Sequence, residues 1–150
     1  MISVGEKIPE FTLKDQYNND FSSKELKGKR VLLSFHPLAW TSVCAAQMKS
    51  LEENMETFSE LNTIPLGLSV DQPFCKGAWA KDLGIENVRL LADFWPHGDL
   101  AKKMDVFRGK YGTSERANII VDEEGNVVFA KVYEIKEVPD IEEILNFLRK

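Results

Sequence analysis

Short apolar runs rich in β-forming residues alternate along the whole chain with stretches whose apolar residues recur at helical spacing, which confines the fold to the α/β class. Candidate strands are Val31 to Phe35, Ile64 to Val70, Val88 to Ala92, Ala117 to Val121 and Val127 to Tyr133, with a weaker one at Phe11 to Leu13. Most are continuous apolar runs, as a sheet covered on both faces requires. Between Ser42 and Leu61, Met48, Leu51, Met55 and Phe58 fall on one helical stripe, with Lys49, Glu52, Glu53 and Glu56 between them. The spacing predicts one long helix there. Further helices are expected over Asp71 to Leu83, Pro96 to Met104 and Pro139 to Lys150, and the acidic, Gly-containing turn Asp122 to Asn126 predicts a hairpin.

A βαβ unit, more helix and strand, then a hairpin and a final helix is the order of elements in a thioredoxin-like fold, a mixed central sheet flanked by helices. A chain of 150 residues is expected to form it as a single domain over 1–150. Open α/β sheets bind ligands at the carboxyl edge of their parallel strands. Cys44 and Cys75 both follow such edges. The strand beginning at Ala117 should run antiparallel to its central neighbour, so Arg116 is brought toward Cys44 from far along the sequence.

Composition narrows the possible partners. With 24 acidic and 19 basic residues the net charge is -5 and no basic block is present, so a nucleic-acid backbone would be repelled. The longest apolar run, around Val31 to Phe35, is far shorter than the roughly 20 residues that cross a bilayer, and Met1 to Pro9 does not resemble a targeting segment. A cytoplasmic protein is expected, with no nucleic-acid or membrane partner. Two cysteines are too few for a disulfide scaffold and lack metal-ligand spacing, so neither a metal nor another cofactor is expected.

Cys44 would lie in the first turn of its helix, with Thr41 or Ser42 as N-cap and unpaired backbone N–H groups nearby. A free thiol of pKa about 8.5 is only about 3% ionised at pH 7, whereas a value near 6 gives about 90%, a difference of roughly 3.4 kcal/mol. A helix end contributes at most ~2 kcal/mol. A guanidinium, always charged and donating in a fixed fork, is suited to supply the remainder, which makes Arg116 its candidate partner. The competing reading makes Cys44 a small buried hydrophobe on the stripe of Met48 and Leu51.

The stretch Pro37-Leu38-Ala39-Trp40-Thr41-Ser42-Val43-Cys44 fits the Pro-x-x-x-Thr-x-x-Cys signature, and on it the chain resembles the peroxiredoxins, the alkyl hydroperoxide reductase and thiol-specific antioxidant family. The likeness extends to the Gly5 to Phe11 opening, to Ser69-Val70-Asp71 leading to Trp79, to Ala92-Asp93, and to Arg116 ahead of Ile119 to Gly125. Asp93 to Gly98 and the short C-terminus are most similar to the compact one-cysteine bacterial subgroup related to alkyl hydroperoxide reductase E. The resemblance implies a peroxidase whose Cys44 thiolate attacks a hydroperoxide and becomes a sulfenic acid. It implies that Thr41 hydrogen-bonds the peroxide, that Arg116 supports the thiolate and the expelled oxygen, and that Pro37 limits water there. It also implies an external thiol or thioredoxin-like reductant and a homodimer packed around the active-site loop.

The chain departs from the family where Gln47 replaces a frequent Glu, which leaves hydrogen bonding but removes an acid. His36 reads as a strand-end histidine with a satisfied ring, His97 as a loop-packing residue, and Trp40, Trp79 and Trp95 as core or interface aromatics. Cys75, with Asp71 as N-cap of its helix, reads as a packing or interface residue on the stripe of Trp79 and Leu83 rather than the thiol that resolves the sulfenic acid. A dithiol oxidoreductase of this fold would need a cysteine where Thr41 stands. A metal carrier using Cys44, Cys75 and His36 lacks a paired-cysteine loop.

Overall fold

A computed structural model describes all residues, 1–150. The elements, in chain order, are β1 (Thr12–Lys14), β2 (Asp20–Ser22), β3 (Arg30–Phe35), α1 (Ser42–Glu53), α2 (Met55–Glu60), β4 (Thr63–Ser69), α3 (Pro73–Leu83) and β5 (Arg89–Ala92). They continue with α4 (Asp99–Lys103), β6 (Phe107–Arg108), β7 (Thr113–Ser114), β8 (Arg116–Val121), β9 (Val127–Tyr133) and α5 (Ile141–Leu148). Seven strands form one mixed sheet in the order β2-β1-β5-β4-β3-β8-β9, and β6 and β7 form a separate ribbon. The central strands β3, β4 and β5 are parallel, while β8 runs antiparallel to β3 with Phe35 opposite Ala117. The mixed sheet flanked by helices is thus the architecture expected from the element order. No helix is long and apolar enough to cross a membrane.

Side chains on a strand alternate between faces. Val31, Leu33, Phe35, Leu66, Leu68, Ala117, Ile119 and Val121 therefore enter one core with Leu100, Ala101 and Met104. Leu32, Leu90 and Ile120 enter the other, with Cys44, Met48, Leu51, Trp79, Ile144 and Leu145. This second face turns polar near the carboxyl edge of the parallel strands. Ser34, His36, Ser69, Arg116 and Asn118 occupy alternate positions there, and all are buried. Gly67 lies on the same face because a Cβ at that position would overlap the Met48 sulfur.

Several boundaries correct the sequence reading. The long helix expected from Ser42 to Leu61 is two helices, interrupted at Asn54, whose side-chain amide donates to the Ser50 carbonyl at 2.7 Å. Such local side-chain bonding competes with the helical ladder. Helix α3 is capped by Gln72, whose side chain accepts from the Phe74 amide at 2.7 Å, and it begins on Pro73 rather than at Asp71. It ends at Gly84, whose φ of 72° is in the left-handed region glycine favours. The expected helix from Pro96 to Met104 contracts to α4. The β1–β2 hairpin was only half anticipated, because its three-residue strands are too short for a clear periodic pattern.

Candidate active site

The chain between β3 and α1, residues 36–41, crosses the carboxyl edge of the sheet and delivers Cys44 into the first turn of α1. Thr41 occupies the N-cap position with extended backbone but makes no side-chain cap bond; its hydroxyl donates to the Leu38 carbonyl at 2.8 Å. The first turn thus keeps its unpaired N–H groups, and the Thr41 hydroxyl is outside the capping pattern that would otherwise account for it. Thr41 is exposed, Pro37 is buried and Cys44 is fully buried. Burial admits the reading of Cys44 as a packing residue, but its polar neighbour does not fit that reading.

That neighbour is Arg116. Its Nη1 lies 3.3 Å from the Cys44 sulfur and donates also to Gln47 Oε1 at 2.7 Å. Nε and Nη2 both donate to the Ile135 carbonyl, at 3.0 and 2.8 Å. Anchored on two sides, the guanidinium can present only one edge to the sulfur, a constraint that a point cation could not satisfy. The antiparallel pairing of β3 and β8 thus brings Arg116 to Cys44, as the topology predicted. Gln47 in turn donates to Ser34 Oγ at 2.7 Å and to the Phe35 carbonyl at 3.1 Å.

The polar chain continues across the sheet. Ser34 donates to Asn118 Oδ1 at 2.8 Å, the Asn118 amide to Tyr133 Oη at 3.4 Å, and Tyr133 to Glu143 at 2.6 Å. Burial and the hydrogen bond to Glu143 hold the Tyr133 hydroxyl well above its usual range. Gln47 was read as keeping the hydrogen bonding that it makes with Arg116, whereas Ser34, Asn118 and Tyr133 had no place in the sequence-derived site. Their signal was the polar residue at every second position of runs read as uniformly apolar, as in Ser34-Phe35-His36 and Arg116-Ala117-Asn118.

A second buried polar group adjoins the first. Lys76 is fully buried; its ammonium donates to Ser69 Oγ and lies 3.4 Å from His36 Nε2. Burial pushes Lys76 down to about 8, against the pull of Asp71, Cys75, Cys44 and Asp93. Burial, then the charge of Lys76, holds His36 well below the usual imidazole range. His36 corrects the expectation of a satisfied ring, because its Nδ1 is buried without a hydrogen-bond partner. Asp71, released from capping, accepts from Ser69 Oγ at 2.6 Å and from the Ala39 amide at 2.8 Å, tying the segment before α1 to the end of β4.

Cys75 packs with the second core, as expected, and its sulfur lies 3.9 Å from Asp71 Oδ1. Burial and the Asp71 charge push its thiol up. His97 bonds the Gly112 carbonyl at 2.6 Å and meets the Phe107 ring edge-on, a loop-packing role. Trp79 is a core residue, whereas Trp40 and Trp95 are exposed.

Comparison with known proteins places this geometry. Over 93% of its length the chain is 35% identical to alkyl hydroperoxide reductase E of Mycobacterium tuberculosis, covering 92% of that protein. It is 36% identical to a peroxiredoxin of Pyrococcus furiosus over 99% of this chain and 71% of the relative. A reduced 2-Cys peroxiredoxin of Plasmodium vivax superposes over 97% of this chain and 80% of its own, with a TM-score of 0.88 at 29% identity. AhpC of Enterococcus faecalis shares the fold at a TM-score of 0.92 and 24% identity, over 99% of this chain and 92% of its own. The AhpC/TSA family profile matches residues 4–130, and the chain belongs to that family.

Proposed function

We infer that the chain is a thiol-dependent peroxidase that reduces hydrogen peroxide or organic hydroperoxides through Cys44. The observation that carries this reading is the Arg116 Nη1 at 3.3 Å from the Cys44 sulfur, at the open end of α1. The thiolate attacks the terminal peroxide oxygen, the O–O bond breaks, and its electron pair leaves with the distal oxygen, which is protonated to water or an alcohol. Cys44 becomes a sulfenic acid. Two equivalents of an external thiol, or one dithiol of a thioredoxin-like reductant, return it to the thiol and release water.

Arg116 is suited to support both the thiolate and the oxyanion being expelled. Gln47 accepts from Arg116 without adding a negative charge, so the guanidinium's charge is not cancelled from that side. Buried Pro37 has no N–H with which to hold water beside the sulfur. The Thr41 hydroxyl can accept from one peroxide oxygen and donate to another reacting atom. Thr41→Val is expected to slow peroxide reduction at least tenfold with the fold retained, and Thr41→Ser to be much milder. Stopped-flow rates for the two variants check this, and equal rates would remove the hydroxyl from the mechanism.

The exposed side chains of Leu38, Trp40, Phe74, Phe94, Trp95 and Tyr111 lie on the segments that follow β3, β4 and β5, the first turn of α3 included, and on the turn ahead of β7 and β8. They support a homodimer of single-domain subunits packed around the segment that carries Thr41. A cytoplasmic setting agrees with a chain of two cysteines that needs no disulfide scaffold. The peroxidase reading is tested by mixing the protein with hydroperoxide and an external dithiol. The expected result is consumption far faster than by free thiol and, when peroxide is added without the dithiol, one oxygen on Cys44 in intact-mass and peptide analysis. A rate equal to free thiol, or oxygen on another residue, would refute it.

A further inference from the structure

The interior near Cys44 holds two buried cations and pairs neither with a carboxylate. Arg116 is bonded to the Ile135 carbonyl, Gln47 and Cys44, and Lys76 to Ser69 with His36 beside it. The carboxylates that form ion pairs are engaged by other cations. Buried charges persist when a counter-charge shares their environment. The group able to supply that negative charge among the direct neighbours of Arg116 is the sulfur of Cys44.

We propose that Lys76 is a second cation of the peroxidatic centre, a positioning residue that acts through the dry interior rather than by contact to hold Cys44 as its thiolate alongside Arg116. This inference rests on Cys44 being the reactive thiol. Lys76 is seated for the role by neutral partners. A charged Lys76 can only donate, so His36 Nε2 accepts and the ring proton resides on Nδ1. Ser69 Oγ accepts from Lys76 and passes its own proton toward Asp71, which holds the Ala39 amide. The ammonium is therefore linked by hydrogen bonds to the segment that leads into α1; the nearest acid, Asp71, is separated from it by the Ser69 hydroxyl and forms no direct ion pair with it.

Asp71 first, then Cys75 and Cys44, are the charges that help Lys76 retain its proton, so Lys76 and Cys44 each lie in the other's field. Linkage makes that help reciprocal: whatever the thiolate contributes to keeping Lys76 charged, the ammonium contributes to keeping Cys44 ionised. The groups around the pair are His36 after β3, Ser69 and Asp71 at the end of β4, Cys75 on α3, Asp93 after β5 and Arg116 on β8. His36, held neutral by burial, adds no competing charge. Asp71 and Asp93 oppose a thiolate, so removal of Lys76 leaves that opposition unanswered on the α3 side.

The test is titration of the Cys44 thiolate by its ultraviolet absorbance and by its peroxide rate against pH, in a Cys75→Ser background that silences the other thiol. Lys76→Met removes the charge and keeps the length of the side chain. Lys76→Gln keeps donors for Ser69 and His36, and serves where Met disturbs folding. Both variants are expected to raise the titration midpoint by about one unit, the lower end of the effect of a nearby opposite charge. Peroxide reduction should then be about tenfold slower well below the wild-type midpoint and nearly equal to wild type well above it. An unchanged midpoint overturns the proposal, whether the rate is unaltered or falls equally at every pH, as it would for a purely structural residue. Because the absorbance titration needs no turnover, it can fail while peroxidase activity stands, and it can succeed where peroxidase activity is absent.

Discussion

Cys44→Ser is expected to abolish hydroperoxide consumption, leaving only the rate of the external thiol, while Cys75→Ser retains most of the wild-type activity. A serine hydroxyl at the Cys44 position keeps the size and the hydrogen bond but does not ionise near neutral pH. It also cannot form the sulfenic acid on which turnover depends. The asymmetry between the two cysteines has a structural origin. Cys44 receives a guanidinium at 3.3 Å and the unpaired amides of the first turn of α1. Cys75 has a carboxylate neighbour instead, and burial and the Asp71 charge keep its thiol from ionising readily. A thiol held in that form attacks a sulfenic acid slowly. A disulfide between the two would also require their Cα atoms to approach within about 7 Å, at the cost of unwinding the start of α1. After one equivalent of peroxide, intact mass and nonreducing electrophoresis should show oxygen on Cys44 and no internal disulfide. Rapid formation of a Cys44 to Cys75 disulfide would instead give Cys75 the resolving role.

The short apolar runs are what the structure reproduces most closely, whereas the longest periodic segment, Ser42 to Leu61, divides at Asn54. Strand β3 and strand β9 coincide with apolar runs, and α5 lies within the expected terminal helix. The approach of Arg116 to Cys44 was legible because one antiparallel pairing suffices to bring the start of β8 beside the end of β3. The buried polar chain was not legible as a unit. Ser34, Asn118 and Tyr133 are ordinary strand residues until the register places Ser34 opposite Asn118, and Asn118 within reach of the next strand.

Helix α3 shows the strongest inversion. Phe74 is 71% exposed and Lys76 is 0% exposed, the reverse of what hydropathy assigns. A pattern argument asks each residue to follow its own transfer preference, and burying an ammonium violates that preference unless something in the interior needs the charge. Local rules are expected to fail at functional sites. Lys76 could have been found only by noting that α3 turns its cysteine and lysine toward the sheet and its phenylalanine away. The break at Asn54 had a visible agent, a residue whose side chain bonds backbone carbonyls, but Asn is tolerated often enough inside helices that the stripe of Met55 and Phe58 outweighed it.

Arg116→Met is expected to raise the pH at which Cys44 ionises and to slow peroxide reduction by about a hundred- to a thousandfold at high pH, and by more below the Cys44 midpoint. Two separate losses combine. The first is ground-state: the thiolate loses the donor at 3.3 Å, so a smaller fraction of Cys44 is ionised near neutral pH. The second belongs to the transition state, where the departing oxygen gains charge and a preorganised donor is worth on the order of a hundred- to a thousandfold. The second loss persists at high pH, which separates Arg116 from Lys76. Removing the guanidinium also leaves the Ile135 carbonyl and Gln47 Oε1 without their donor in a buried site, so some stability is lost too, about 1–3 kcal/mol for each unsatisfied group. Arg116→Lys provides the check that keeps the rate from being confused with misfolding. A lysine retains the charge but cannot serve the sulfur, the glutamine and the carbonyl together in one fixed plane. Its thiolate titration should lie closer to wild type than that of Arg116→Met, while its rate stays well below wild type because the donor is no longer aimed. Circular dichroism should confirm that both variants are folded before rates are compared. If folded Arg116→Met matched wild type in both thiolate titration and peroxide rate, Arg116 would have no part in the chemistry, and the short contact with Cys44 would be packing alone.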